Sequence, residues 1–336
     1  MATDGTVRPS LAGAEVVSAS LARHRFRPLE GLVWLAMLAG YWLWPEYRPL
    51  GSQIFIMCLF VLSLDIVVGY AGIVTLGHAA FFGVGAYTAG LTAIHLSNEP
   101  FLGLLTAAVA AGLVGILSGL IVLRTTGLTL MMLTLAIVFV LHEAANKLGS
   151  VTGGSDGLQG VTVAPILGLW SLDFFGQTAY IYTGAVLFLG WLFARILVGS
   201  PFGRSIVGIR ENLVRMRAIG SPVRLRLLVV YGISATMAGI AGALLTQTTQ
   251  FVSLSAITFT RSGEALIMLI LGGVGRLYGA FVGAPIYMLM QDALAKYNPV
   301  FWTFWIGLML VLTVMFARNG VLGLVDSVLA WRRRAA

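Results

Sequence analysis

The chain has 336 residues, of which 58% are apolar and only 10% are charged, and its mean hydropathy is +0.93. A soluble domain carries about a quarter charged residues, so this composition excludes an ordinary water-soluble globule and indicates a protein embedded in lipid. The net charge of +8 comes from short basic clusters beside apolar runs, which argues against nucleic-acid binding. The single Cys58 leaves no disulfide within the chain.

The N-terminal region does not have the pattern of a signal peptide. The first 30 residues contain Asp4, Glu15 and Glu30 before any long apolar run, whereas a signal peptide has a short basic segment followed directly by an apolar core. We therefore interpret residues 1–28 as a cytoplasmic tail, residues 29–320 as a transmembrane domain and residues 321–336 as a basic cytoplasmic tail.

Apolar runs of a length that crosses a bilayer, about 20 residues each, recur along the rest of the chain. They lie at 31–45, 50–70, 73–95, 101–123, 127–146, 178–198, 226–249 and 299–317. The run over 264–291 differs, because several glycines and Arg276 interrupt it between Gly272 and Gly279. We expect the chain to turn back there, giving two short helices whose ends are covered by protein or by a water-filled cavity.

The positions of the arginines predict the orientation, because cytoplasmic loops carry an excess of basic residues. Arginines lie at 23–27 ahead of the first run, in the 199–225 loop and at 332–334. Counting the spans from the N-terminus places all three segments on one side only if 264–291 contributes two crossings. The predicted fold class is therefore an all-α integral membrane protein of about ten transmembrane helices, some short or broken, with both termini cytoplasmic.

The segment over residues 69–90 is too rich in glycine for a plain helix, since each glycine costs about 1 kcal/mol relative to alanine. A helix broken near its start would offer free N–H groups to an anionic part of a solute. This interpretation predicts a translocation path at Gly72, Thr75, Gly77, His78 and Gly85, where a bulky residue at Gly77 would block the path without loss of assembly. The alternative is tight helix packing, with His78 bonded to a backbone carbonyl.

Two loops have compositions that suit docking. Residues 151–160 form a loop rich in Gly, Ser and Asp on the predicted outer side, which fits either an external partner or a plain turn-rich loop. The 199–225 loop contains a short helix predicted at 204–218, ended by Gly220 and Pro222. Its mixture of apolar and charged residues fits a lever that contacts a soluble partner, or an interfacial helix lying on anionic lipid.

Four ionisable residues lie in or at the ends of the apolar runs: Asp65, His142, Glu143 and Glu264. A charge within a membrane is a functional-site hypothesis by default because its burial is expensive, although Glu143 and Glu264 also fit the outer interface as boundary residues. No Ser/His/Asp order, paired carboxylate site or metal-ligand spacing favours an enzyme, so we expect neither catalysis nor a metal site in this chain.

Four segments together resemble the branched-chain amino acid permeases of ABC importers. They are Gly69-Tyr-Ala-Gly through Gly85-Ala-Tyr-Thr-Ala, Thr-Gly-Gly-Ser-Asp-Gly-Leu at 152–158, Arg210-Glu211 with Ala218-Ile-Gly220, and Ser262-Gly-Glu-Ala through Gly279. The second is similar to the extracellular motif of the M-type subunit. The four occur in the family's order, and the resemblance runs from about residue 55 to residue 320.

The resemblance implies a ten-helix permease of the type II ABC importer kind in a bacterial inner membrane. It implies, besides membrane lipid, a second related permease, two cytoplasmic ATPases and an external solute-binding protein as partners. It implies no cofactor in this chain, since ATP is used by the partner subunits. It also implies that Arg210, Glu211, Ala218 and Gly220 form the ATPase-coupling contact.

The resemblance favours leucine, isoleucine, valine or a similar amino acid as the solute. Two departures touch the expected path: Thr75 stands where the family commonly has Ser, and Asp65 where Asn is frequent. Importers of urea or short amides have related permeases, so such a solute is the alternative. From other classes, an ion-coupled carrier would show paired polar sites in two repeated halves, of which only a weak glycine-rich similarity is visible, and a membrane enzyme lacks a site.

Overall fold

The computed structural model describes residues 28–165, 170 and 176–297, together with scattered positions from 301 to 323. Contacts between residues divide the chain into two compact units, Met1–Pro45 and Glu46–Ala336. In the first unit the structure describes one helix, α1 (Pro28–Leu43), close to the run predicted at 31–45. The predicted N-terminal tail, most of the last predicted span at 299–317 and most of the C-terminal tail lie outside the described residues.

The described part of the second unit is helical, with no strand and one isolated antiparallel bridge. Single helical turns apart, its helices are α2 (Arg48–Asp65), α3 (His78–His95), α4 (Pro100–Val122), α5 (Leu128–Lys147), α6 (Gln177–Gly199), α7 (Pro201–Glu211), α8 (Leu213–Ala218), α9 (Val223–Thr249), α10 (Phe259–Gly272) and α11 (Gly279–Tyr297). The all-α prediction is confirmed for these residues.

Five helices in the described part of the chain are long and apolar enough to cross a membrane. They are Pro45–Tyr70, Pro100–Val122, Leu128–Lys147, Gln177–Gly199 and Val223–Thr249. The first of these joins α2 to a short 3₁₀ turn before it and to a π-helical turn at Ile66–Tyr70 after it. The other predicted crossings that the structure describes correspond to helices that are shorter or less apolar, and the one at 299–317 lies mostly outside the described residues, so the count of ten stays a prediction.

Contacts between loops define two opposite ends of the second unit. At the first, which we call the Arg210 end, Arg210 bonds to the carbonyl of Gly69 and lies 3.2 Å from the position of a Cβ on Gly275. The backbone of Gly273 lies close to Gly320 at this end. The chain after α11 therefore returns to the Arg210 end by residue 320.

At the other end, which we call the Val252 end, the Leu158 N–H donates to the Val252 carbonyl at 2.7 Å. Asn98, between α3 and α4, donates its side-chain amide to Thr162 at 2.9 Å. Because the chain passes from one end to the other with each long helix, α3, α5 and α9 run in one direction and α4 runs in the opposite direction.

Glycines allow the backbones of α4 and α9 to approach closely. A Cβ on Gly103 would lie 2.9 Å from the side chain of Gln247, and one on Gly112 would lie 2.6 Å from Thr236. A Cβ on Gly115 would collide with that of Ala235. The α9 partners descend as the α4 positions rise, so the two helices are antiparallel, and small residues replace hydrophobic burial as the source of their affinity, as is usual in lipid.

The region 264–291 contains two helices rather than one, as predicted. α10 and α11 have 14 and 19 residues and are joined by a turn in which Gly273 and Gly275 have positive φ angles of 112° and 75°. Glycine adopts such angles without the steric penalty of a Cβ. The helices are antiparallel and touch along their length, since a Cβ on Gly283 would collide with the carbonyl of Met268.

Candidate functional site

The chain between α2 and α3 is an irregular segment, so the span predicted at 73–95 is helical only from His78. Gly72 has a φ of +73°, which ends the π-helical turn and redirects the backbone. The Leu76 N–H donates to the hydroxyl of Thr134 on α5 at 3.2 Å, and the Gly77 N–H donates to that of Thr75 at 3.1 Å. Side-chain oxygens thus replace the missing helical acceptors.

Thr75 and His78 are buried inside the chain at this break. Ser63 of α2 bonds to His78 Nε2 at 2.8 Å, and the Phe60 ring stacks on the imidazole at 5.4 Å between centroids. Thr75 is hydrogen-bonded to the buried Tyr231 of α9. Both side chains therefore join helices of this one chain, and His78 pairs with a side chain rather than with a backbone carbonyl.

Gly77 and Gly85, also predicted to line the path, lie at close approaches between helices. A Cβ on Gly77 would collide with the carbonyl of Thr134, and one on Gly85 with the carbonyl of Gly239 in α9. A larger residue at Gly77 must therefore push α5 away. This overturns the expectation that filling this position leaves assembly intact.

At the Arg210 end, the structure brings together two predicted groups that are far apart in sequence. Arg210 of α7 donates from Nη1 to the carbonyl of Gly69, and its Cγ lies 2.9 Å from the position of a Cβ on Gly72. Asp65, at the end of α2, accepts the N–H of Gly275 at 2.7 Å through Oδ1. The 199–225 loop, the break after α2 and the α10–α11 turn thus meet at one junction.

The helix predicted at 204–218 is two helices, which corrects that boundary. Ser200 caps α7 by accepting the Gly203 N–H at 3.1 Å, and Pro201 occupies the first turn, where its missing N–H costs nothing. Asn212 has an extended backbone and caps α8 by accepting the Arg215 N–H at 2.9 Å. An N-cap residue cannot continue the preceding helix, so the chain bends at Asn212.

The other predicted coupling residues, Glu211, Ala218 and Gly220, are exposed. Gly220 has a φ of +79°, and a Cβ there would have no atom within 4 Å. On the opposite side of α7, Ile206 and Ile209 are buried and fix the helix to the rest of the unit. The α7–α8 pair therefore presents one anchored side and one accessible side.

The glycine-rich segment at 152–158 forms a compact loop at the Val252 end. Gly153 and Gly157 have φ angles of 76° and 75°, and a Cβ on Gly157 would lie 2.6 Å from the carbonyl of Val252. The glycines are therefore needed to bring the loop against the α9–α10 connection, whether or not a partner docks there.

The ionisable residues singled out from the sequence lie in different surroundings. Asp65 is fully buried. Glu143 pairs with Lys147 at 3.8 Å at the exposed end of α5, as a boundary residue does. Glu264 pairs with Arg261 at 3.1 Å within α10, a partner that was not predicted from the sequence. Opposite charges three residues apart in an apolar helix were the signal that indicated it.

The relatives found by comparison with known proteins are all named as transport permease proteins. The chain is 29% identical over 319 residues to the "High-affinity branched-chain amino acid transport system permease protein LivM" of Salmonella typhimurium, covering 86% of this chain and 74% of the relative. It is 28% identical over 334 residues to the Escherichia coli protein of the same name, covering 91% and 77%. It is 27% identical over 276 residues to the "L-arabinose ABC transporter permease protein AraH" of Azospirillum brasilense, covering 79% and 76%.

No solved structure matches the chain. The family model described as "Branched-chain amino acid transport system / permease component" matches residues 50–316, which contain α3, the junction at Arg210 and the α10–α11 hairpin. This match covers most of the chain and all four segments on which the resemblance was based. The chain belongs to the family of branched-chain amino acid transport system permease components.

Proposed function

We propose that this chain is a permease subunit of an ATP-driven ABC importer that carries leucine, isoleucine, valine or a similar amino acid across a bacterial inner membrane. The observation that carries the proposal is the bond from Arg210, on the exposed α7–α8 helix pair, to Gly69 at the end of a long apolar helix. Two relatives named for branched-chain amino acid transport support the choice of solute.

The distribution of charge supports a cytoplasmic Arg210 end. Basic residues crowd this end and are fewer at the Val252 end, which is the asymmetry expected when the first faces the cytoplasm. The residues concerned are Arg124, Arg204, Arg215, Arg217, Arg224 and Arg276 at the first end, against Arg48, Lys147 and Lys296 at the second. In the proposed topology the chain crosses the membrane ten times, and the domain limits are 29–320 with a cytoplasmic tail at each end.

The accessible side of α7 and α8 is the proposed contact for one of two ATPase subunits. It combines the charges of Arg215 and Glu211 with exposed apolar side chains at Val214 and Ile219, a mixture that suits a protein pocket. The proposed complex also contains a second related permease and an external solute-binding protein at the Val252 end. ATP is used by the ATPases, and this chain carries no cofactor of its own.

The junction gives a route by which ATPase motion acts on the membrane helices. A displacement of α7 pulls on Gly69 through Arg210 and changes the contact with Gly72. The same junction includes the α10–α11 turn, which Asp65 holds by its bond to Gly275. One movement at the cytoplasmic surface therefore reaches both places where the helices are interrupted.

The complex reconstituted in proteoliposomes with its binding protein and ATPases tests the proposal. Labelled leucine, urea and L-arabinose are offered separately, with ATP inside the vesicles. We expect saturable, ATP-dependent uptake of leucine and none of the other two. Arabinose is included because one relative is named for it. Uptake of arabinose or urea without leucine would overturn the solute assignment, and uptake without ATP hydrolysis would overturn the importer class.

A further inference from the structure

The ion pair between Arg261 and Glu264 lies on α10 and is partly open to the outside of the chain. The two side chains are 29% and 19% exposed, and their charged atoms are 3.1 Å apart. Among the residues that the structure describes, neither charged group has another hydrogen-bond partner. The pair therefore has bonding capacity to spare for a ligand carrying both charges.

The depth of the pair follows from the residue between its members. Ser262 accepts the N–H of Ala79, in the first turn of α3, at 2.9 Å. The neighbouring His78 bonds to Ser63, whose carbonyl accepts the hydroxyl of Ser234 at 2.5 Å. Ser234 is the twelfth of the 27 residues of α9, the longest described helix. The Arg261–Glu264 pair thus lies about midway between the Arg210 end and the Val252 end.

A pair of charges at this depth is not stable against lipid chains. Gly263 faces the same open region, since a Cβ there would have no atom within 4 Å. The open side must therefore face water or another subunit. Intramembrane substrate sites of transporters are typically found at mid-depth, beside interrupted helices, and the α2–α3 break adjoins this one.

The stripe that continues from the pair towards the Arg210 end is aliphatic. Ile267 and Ile270 follow Glu264 at intervals of three residues and are partly exposed in the same way. Residues spaced three or four apart share one face of a helix. Two charges followed by an aliphatic strip match the outline of an α-amino acid with a branched aliphatic side chain.

We propose that Arg261 and Glu264 form the amino-acid subsite of the translocation path. Glu264 binds the ammonium group of the solute and Arg261 binds its carboxylate. The ion pair between the two side chains is thereby replaced by two ion pairs with the solute. Ile267 and Ile270 contact the aliphatic side chain. The inference rests on the proposed function and deepens it, because it names the groups by which the path recognises its solute.

Leucine uptake by the reconstituted complex tests the subsite with Glu264→Gln and Arg261→Gln. Each change removes one charge-assisted bond to the solute, so uptake at low leucine concentration should fall by roughly tenfold or more. Glu143→Gln breaks the exposed ion pair with Lys147 on α5 and serves as the matched control, with uptake expected at the native level. Native uptake by the Glu264→Gln complex would overturn the inference.

A double variant with the charges exchanged, Arg261→Glu with Glu264→Arg, separates recognition from packing. It keeps an ion pair of the same spacing, so the complex should assemble in native yield while leucine uptake remains low. Restored uptake would show that the pair only holds the fold and would overturn the inference. If the native complex carries another solute and no leucine, the proposed function itself fails. If the native complex carries leucine and the variants do so equally well, only the subsite fails.

Discussion

Single polar side chains join segments of this protein that are far apart in sequence. Arg210 reaches Gly69 across 141 positions, and Asp65 reaches Gly275 across 210. Asp65 is fully buried, so its bond replaces hydration that is lost on burial, whereas Arg210 is exposed. The bonds therefore determine which backbone segments can move together, and Arg210 is the more accessible of the two to a soluble partner.

We predict that Arg210→Ala uncouples the importer. The Gly69 carbonyl then loses its charged donor, so motion of α7 no longer acts on the break. Leucine uptake should fall by roughly tenfold, the scale of one charge-assisted bond, while ATP hydrolysis by the partner subunits continues. Both rates are measured in the same vesicles. Arg204→Ala, on the exposed part of the same helix, is the control, and an equal loss in both variants would contradict the specific role of Arg210.

The sequence predicted the break near Gly72, but it did not predict where the side chains around it point. Glycine density and topology are local signals. The burial of Thr75 and His78 depends on Tyr231, Ser63 and Phe60, which reach them from other helices. The pairing of Glu264 with Arg261 could be predicted from their spacing of three residues. The position of this ion pair between the two ends could not, because it depends on the contact from Ser262 to α3.

At the scale of elements, apolar length predicted the existence of the long helices well and their boundaries less well. α3 starts at His78 rather than 73, because hydroxyls of neighbouring residues make up for helical bonds in the irregular segment. The coupling helix was predicted as one piece over 204–218 because all of its residues tolerate a helix. Only the capping geometry of Asn212 shows that the chain bends there.

Two helical glycines, one tightly packed and one facing open space, test whether close backbone approach stabilises the protein. Gly115→Ala would place a Cβ against that of Ala235 and should destabilise the protein by about 1–3 kcal/mol, as overpacking does. Gly263→Ala meets no atom within 4 Å and should gain up to about 1 kcal/mol from helix propensity. Thermal unfolding in detergent measures both, and equal shifts of the midpoint would refute the packing explanation.

At the scale of the whole molecule, the contacts at each end agree with the grouping of loops deduced from arginines alone, while the side that faces the cytoplasm stays a prediction. The sequence assigned the 199–225 loop and the 272–279 turn to the same side, and the structure brings Arg210 and Gly275 together. It assigned residues 151–160 to the other side, where Leu158 pairs with Val252. This part of the fold was predictable because lipid restricts a helix to one of two directions.

Single-cysteine labelling tests the sidedness. Cys58 is the only cysteine and is buried, so Cys58→Ala gives a background without reactive thiols. On intact cells a membrane-impermeant maleimide should label Gln159→Cys, an exposed position at the Val252 end. It should label Ala218→Cys, exposed at the Arg210 end, only after the membrane is permeabilised. The reverse pattern would invert the proposed topology.

The charges on Arg261 and Glu264 sum to zero, and this bears on how the membrane potential affects transport. Moving one elementary charge across a membrane potential of 100 mV changes the free energy by about 2.3 kcal/mol. A zwitterion carries no net charge, and neither does the pair with which it exchanges partners at mid-depth. If the proposed subsite carries leucine, its passage is electrically silent, so the cell's voltage neither drives uptake nor opposes it. In the proposed importer the leucine gradient is then set by ATP hydrolysis alone.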